Sequence, residues 1–301
     1  MDRRQISSDS PAKNQLITGI ALALIAGLAY SSEAIAAKLL YKQGLAPLAV
    51  LSWRFILASF IFLFWAHPYY KPHYRQGNQP WILFCLGLSQ GITVVFLFYS
   101  FMYIPAGLAI FIFYLYPALV IVLEALLFGL RPNRKRVSAL ILTLVGLVVI
   151  AGQALRGISG PGFVFALAAA VSNAIFLILS ERSLANLPLP LTSAGTTVSA
   201  TVFLLAVSLV SQTPLRLPLT AINLGLLLFL ALVPSVLALG CLFAAVARLG
   251  PSRTAIVGTT EPFITSLLGL LILKEHLLAR ELAGGILIVL AVVLESMSSS
   301  S

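Results

Sequence analysis

The sequence predicts an all-α integral membrane protein with ten transmembrane helices, arranged as two inverted five-helix repeats. Three observations lead there. The chain of 301 residues is 60% hydrophobic and only 9% charged, where a soluble domain carries about 25% charged residues. Its mean hydropathy is +1.03. Apolar blocks recur at the length needed to cross a hydrocarbon core about 30 Å thick, roughly 20 residues each, and short loops holding most of the Arg and Lys part them.

The expected spans are 15–37, 46–66, 81–103, 106–129, 137–156, 161–181, 191–211, 222–247, 252–273 and 279–297. Their breaks have local causes. Gly44 and Pro47 part the first two, His67 to Pro80 is a polar loop, Ile104-Pro105-Ala106-Gly107 is a tight turn, and Arg131-Pro132 ends the fourth. A β-barrel is excluded, because the blocks lack the in/out alternation of a barrel strand. The domain reading is a cytoplasmic tail over 1–14, a first repeat over 15–156, a second over 157–297, and a short tail over 298–301. The first block is too long for a signal-peptide core and has no small-residue cleavage site, so it reads as a retained helix.

The net charge of +10 does not point to nucleic acid, since no basic run is interleaved with stacking aromatics. The basic residues stand at helix ends, where they set topology. With both termini in the cytoplasm, twelve Lys and Arg fall on the inner side, Arg134-Lys135-Arg136 foremost, and six on the outer side. That bias places the chain in a cell (plasma or inner) membrane with both termini cytoplasmic. Cys85 and Cys241 lie within apolar blocks with no metal-ligand spacing. No phosphate loop, zinc-binding histidine pair or nucleophile elbow is present, so neither cofactor, metal nor catalytic residue is expected.

The two halves echo each other. At an offset of 143, Gly19, Ala23, Ala26 and Pro47 fall on Gly162, Ala166, Ala169 and Pro190; at 145, Phe98 and Pro117 fall on Phe243 and Pro262. An odd number of helices per half makes the halves inverted, a plan that sets a transport site at the midplane.

Function is then read from polar groups inside the apolar blocks, each costing roughly 2.5 to 3.5 kcal/mol at the bilayer centre if charged. Glu261 precedes Pro262 mid-helix and shares a small, polar face with Thr254, Gly258, Thr265 and Gly269. Glu33 lies a turn from Tyr30, at a depth similar to Arg54, so it either pairs with Arg54 as a structural clasp or faces the transport path. Glu124 stands below Tyr116 and Val120 and is expected to meet the basic loop after Arg131 or surface water. Helix 3 adds Gln90, Thr93 and Tyr99, and helix 6 adds Asn173 and Phe176. In the repeat alignment Tyr30 falls on Asn173, Glu33 on Phe176 and Tyr116 on Glu261. Tyr30, Glu33, Gln90, Thr93, Tyr99, Tyr116, Asn173, Phe176, Glu261 and Thr265 are therefore the candidate walls of one central cavity.

Several motifs carry a resemblance: Lys38 ending helix 1, Tyr41-Lys42-Gln43-Gly44 through Pro47 to Arg54, the Ala-Gly turn with Tyr116-Pro117, and Glu261-Pro262 followed by Leu273-Lys274-Glu275. Over roughly residues 15 to 295 the chain resembles the EamA family of the drug/metabolite transporter superfamily. It departs from that pattern at Ala29-Tyr30, where Trp-Gly is common, and at Glu33, where an apolar residue is usual. The resemblance implies a secondary carrier, often an exporter of amino acids, related metabolites or amphipathic compounds. Its cavity would be walled by helices 1, 3, 4, 6, 8 and 9, with helices 5 and 10 as scaffold. The expected partners are a small-molecule substrate and the lipid bilayer, with proton coupling through Glu261 or Glu33, and the chain acting as monomer or homodimer. The alternative is a non-transporting membrane scaffold or a lipid-processing membrane protein.

Overall fold

The computed structural model describes residues 10–69, 79–100, 102–104, 106–130, 132–151, 159–217, 220–273 and 279–296. Residues 1–9 of the expected N-terminal tail, the C-terminal tail and the loop residues Lys71, Arg75, Arg131, Arg156 and Lys274 lie outside the described residues, as do the side chains of Lys38 and Thr265, whereas residues 10–14 of the expected tail are the first turn of a helix that begins at Ser10.

The described residues form helices and short connections. In chain order these are α1 (Ser10–Ser31), α2 (Glu33–Lys42), α3 (Pro47–Ala66), α4 (Gln79–Ser100), α5 (Ala106–Phe113), α6 (Tyr116–Phe128) and α7 (Arg134–Ala151). Then follow α8 (Gly160–Asn186), α9 (Leu189–Val210), α10 (Ala221–Leu230), α11 (Ala238–Leu249), α12 (Pro251–Gly258), α13 (Glu261–Leu273) and α14 (Ala279–Ser296). Proline in the first turn opens α3, α6, α8, α9 and α12, where its missing N–H would be unpaired in any case. Gly129, at φ +67°, closes α6 with its N–H on the Ala125 carbonyl. Asn133 opens α7 by accepting the Arg136 N–H at 2.8 Å.

Seven stretches among the described residues are long and apolar enough to cross a membrane: Asn14–Ser31, Pro47–Tyr69, Gln79–Ser100, Ala109–Phe128, Gly160–Asn186, Leu189–Val210 and Ala221–Leu249. Helix occupies the other three expected spans, but each falls short for a visible reason. Helix α7 opens on Arg134-Lys135-Arg136, the ninth span is divided into α12 and α13, and α14 is apolar only over Leu282–Leu294. Large apolar side chains cover the outside, among them Phe64, Leu126, Leu209, Val210 and Ile222, as lipid contact requires. Trp65, Tyr69, Trp81 and Tyr103 are exposed near helix ends, where rings sit at headgroup level.

Inside, small residues bring backbones together because lipid supplies no hydrophobic drive between helices. Helix α4 packs against α8 and α9, and α9 also against α3. A Cβ on Gly87 would strike the Thr196 carbonyl and Ser199 on α9, and one on Gly195 would meet Leu83 at 2.7 Å. Thr196, Thr197 and Thr201 turn their hydroxyls back onto carbonyls of their own helix, which satisfies them away from water. Helix α1 packs on α11, α12 and α13, while α7 and α14 pair with each other at a close approach of Gly146 to the Gly284 carbonyl.

Several expected spans are not continuous. The first breaks at Ser32 and runs on to Lys42, the fourth breaks at Tyr114-Leu115, and the ninth breaks at Thr259-Thr260. The eighth carries a π-helical turn, Ala231–Leu237, around Pro234. Hydropathy is blind to these interruptions, because the residues that make them are themselves apolar or small.

Candidate functional site

The breaks gather the intramembrane polar groups. In Tyr116-Pro117 and in Glu261-Pro262, the proline has no N–H for the carbonyl four residues back. The chain just before each proline tightens in the same way. The Leu115 N–H turns to Ile112 O at 3.1 Å, while the Thr259 and Thr260 N–H groups turn to Ile256 O and Val257 O, both at 3.2 Å. Discontinuous helices of this kind carry exposed backbone dipoles at depth, which is tolerated where they line a cavity or are buried in protein.

Glu33, at the start of α2, forms an ion pair with Arg54 of α3. Arg54 Nε also donates to Ser235 Oγ at 3.1 Å, and its guanidinium lies 5.2 Å from the Phe55 ring centroid. Ser235 in turn donates to the Leu230 carbonyl at 2.9 Å within the π turn. The arginine is only 4% exposed and the glutamate 23%, so the pair joins α2, α3 and the π turn while one carboxyl face remains open. Of the two readings of Glu33, the structure shows the pairing with Arg54.

Glu261 begins α13, and its carboxyl lies beside the Tyr114 hydroxyl of the other broken helix. Its backbone carbonyl accepts Ser31 Oγ of α1 at 3.1 Å. Gly258 gives room for Tyr116, whose hydroxyl would stand 2.9 Å from a Cβ there; Gly27 of α1 similarly faces Thr260 Oγ1. Tyr30 lies within electrostatic reach of Arg54, Glu33 and Glu261, and Tyr41 within reach of Glu33 and Arg54. Tyr116 is in reach of both Glu261 and Tyr30.

Of the candidate residues, Tyr30, Glu33, Arg54, Tyr116 and Glu261 thus stand together. Phe176 of α8 is buried, stacks near Phe243 at 5.8 Å, and shares one apolar core with Tyr114 and Tyr116. Asn173 is half-buried one turn away. On α4, Thr93 is buried with its hydroxyl on Ser89 O at 2.8 Å, and Ser172 of α8 donates to that same carbonyl at 2.8 Å. Gln90 is half-buried, and its Oε1 is enclosed with no hydrogen-bond partner among the described residues. Tyr99 is 38% exposed, with its ring 5.8 Å from Phe165 of α8. The side chain of Thr265 lies outside the described residues.

Glu124 is a correction. Instead of the basic loop, its carboxyl meets Ser252, accepting from the backbone N–H at 3.4 Å and from the side-chain hydroxyl. Ser31 and Ser235, which belong with the cluster, are absent from the sequence reading; Tyr41 enters it only within a family motif, and Tyr114 only among the aromatic side chains of the fourth span and not among the candidate cavity residues. Tyr114 could have been found from its place two residues before Tyr116-Pro117, and Ser235 from following Pro234. No local signal marks Ser31.

Two carboxyls and one guanidinium amid four tyrosine hydroxyls can hold charge, pass a proton and bind a polar ligand with an apolar body. The two serine hydroxyls at hand donate to backbone carbonyls, Ser31 to Gly27 O and Glu261 O and Ser235 to Leu230 O.

Comparisons with known proteins agree with a carrier. The pattern of the EamA-like transporter family matches twice, over residues 17–152 and 160–297. A probable amino-acid metabolite efflux pump of Salmonella typhimurium is 27% identical over 260 residues, covering 80% of this chain and 83% of the relative. Protein PecM of Dickeya dadantii is 27% identical over 217 residues, covering 71% and 73%. An uncharacterised transporter of Synechocystis is 28% identical over 225 residues, covering 72% and 67%. One crystal structure of a protein shares the fold with a TM-score of 0.77 at 20% identity, over 98% of this chain and all of the other.

Proposed function

The chain belongs to the EamA-like transporter family, and from that premise we propose that it is a secondary active exporter of amino acids or related small metabolites, working by alternating access. It is an integral membrane protein and a transporter rather than an enzyme. The observation that carries the finer reading is the meeting of two broken helices at Tyr114 and Glu261, with the Glu33–Arg54 pair beside them.

In this reading, residues 15–156 and 157–297 are inverted five-helix halves, both termini face the cytoplasm, and the substrate sits between the halves. The repeat is supported by how the helices pair: α1 lies on α11 as α4 lies on α8, and α1 lies on α12 and α13 as α8 lies on α5 and α6. The pair α7 and α14 would be the static scaffold. Glu261 would take and release the coupling proton, Tyr30, Tyr114 and Tyr116 would contact the bound compound, and the enclosed Gln90 Oε1 would accept a hydrogen bond from it. Asn173, Phe176, Thr93 and Thr265 would complete the walls. The printed activity of the Salmonella relative, amino-acid metabolite efflux, supports the substrate class. One chain holds both matched segments, which supports a monomer as the working unit.

The test is flux of a mixed amino-acid and metabolite pool in oriented proteoliposomes, read by mass spectrometry with and without a pH gradient. We expect selective movement by the native protein, lost in Glu261→Gln and kept in the lipid-facing control Val210→Ala. Flux unchanged in Glu261→Gln, with its pH dependence intact, removes the coupling role. No protein-dependent movement of any compound removes the transport reading itself.

A further inference from the structure

Glu124 and Ser252 lie away from the cluster just described. Helix α6 carries Tyr116, Val120 and Glu124 on one buried face, so Glu124 is two turns, about 12 Å, from Tyr116. Ser252 is nine residues before Glu261, about 13 Å along the chain axis of α12. The contact therefore sits two turns to one side of the Glu261 cluster on both broken helices. That side is the one at which α1 begins, because Gly19 of α1 packs on Leu249 while Ser31 reaches Glu261.

Helix α12 has eight residues and a backbone break at each end. Gly250 precedes it at φ +78°, where only glycine is unstrained, and Thr259-Thr260 follows it. These breaks set it off as a separate piece of helix, and Glu261 follows Thr259-Thr260 at its far end. Its near end is held by Glu124, which is 6% exposed and accepts both the backbone N–H and the hydroxyl of Ser252. A carboxylate at a helix N-terminus also gains from the helix dipole, and it gains more where water is excluded.

We propose that the Glu124–Ser252 contact is the gate on this side of the transporter: made, it latches α6 to α12 and closes the path below Glu261; broken, it frees α12 to turn about Gly250 and opens that side. The proposal rests on the alternating-access reading above. It assigns Glu124 a role in the cycle, where a buried carboxyl serving only as a cap would leave access unchanged.

The test needs no substrate. In a background with Cys85→Ser and Cys241→Ser, Val120→Cys reports access one turn beyond the gate and Ala200→Cys reports the α3–α9–α4 seam, both positions being fully buried. Labelling by a membrane-impermeant methanethiosulfonate in proteoliposomes is expected to rise about tenfold at Val120→Cys when Glu124→Ala or Ser252→Ala removes a charge-assisted hydrogen bond. Ala200→Cys should not change. Glu124→Cys with Ser252→Cys, oxidised to a disulfide, should hold labelling at the native rate or below and arrest flux of the same metabolite pool until reduced. Ser252→Ala and the disulfide pair serve if Glu124→Ala fails to fold. Unchanged labelling at Val120→Cys overturns the gate, and so does a rise at both reporters, which means general loosening. Labelling as expected without flux of any compound counts against the transport reading alone.

Discussion

Ser31 and Glu261 stand 230 positions apart, yet the Ser31 hydroxyl donates to the Glu261 carbonyl at 3.1 Å, shared with Gly27 O at 2.7 Å. The contact fixes the end of α1 to the first residue of α13, so the break in one helix is set against the break in the other. Both breaks then lie at one depth, where Tyr30, Glu33 and Arg54 also converge. A site assembled from interrupted helices needs such ties, because the interruptions remove hydrogen bonds that would otherwise stiffen them.

Ser31→Ala is expected to lower thermal stability modestly, by about 0.6 kcal/mol, the average for an interhelical hydrogen bond in a membrane protein. Melting of the purified protein in detergent checks the magnitude. Accessibility of a cysteine placed at Gly27, facing Thr260, should rise in the variant, since the tie that seats α1 there is gone.

The Glu33–Arg54 pair should respond asymmetrically. Glu33→Gln leaves Arg54, the more buried partner, charged and without its counter-ion, and Arg does not deprotonate in proteins; the cost should be about 3 to 5 kcal/mol. Arg54→Met leaves only the less buried partner, a glutamate that is partly exposed. It should cost less than Glu33→Gln, and the double variant should recover most of the loss. Chemical denaturation or thermal melting of all four proteins gives the cycle, and equal costs for the two single variants would contradict it.

The membrane class and the ends of most helices were legible because bilayer solvation acts on each residue locally. The breaks just before Pro117 and Pro262 were not read, and the expected spans 106–129 and 252–273 run straight through them. What could not be read was which polar group meets which. Glu124 meets Ser252 on another helix rather than the nearby basic loop, on the same pair of helices that sets Tyr116 against Gly258. The packing of the Tyr99 ring against Phe165 of α8 was equally hidden, because a helix of uniformly apolar composition gives periodicity nothing to distinguish lipid from protein. The break at Ser32 has no proline to mark it and was missed outright.

Glycines divide sharply by what they face. Gly87→Ala would drive a methyl group into backbone, the Thr196 carbonyl and Ala200 N–H, and backbone cannot move aside; we expect a loss of about 2 kcal/mol or more, as overpacking does. Gly240→Ala, with nothing within 4 Å, should be neutral or stabilising by roughly 0.5 to 1 kcal/mol in a helix interior. Thermal melting in parallel distinguishes them.

Gly258 is the informative intermediate case. Its added methyl would meet only the Tyr116 hydroxyl, at 2.9 Å, which is the far end of a side chain and can shift without moving the helix. Gly258→Ala should therefore keep the fold, melting within about 1 kcal/mol of the native protein, while displacing Tyr116 from Glu261. If Tyr116 contacts the transported compound, flux falls with an increased KM and a largely retained maximal rate, the pattern of lost ground-state binding. Tyr116→Phe in the Gly258→Ala background separates crowding from chemistry. Removing the hydroxyl relieves the clash, so flux should return toward that of Tyr116→Phe alone. A variant that melts normally and transports with native KM would show that Tyr116 lies off the path, and would leave Tyr30 and Tyr114 as the tyrosines to test next.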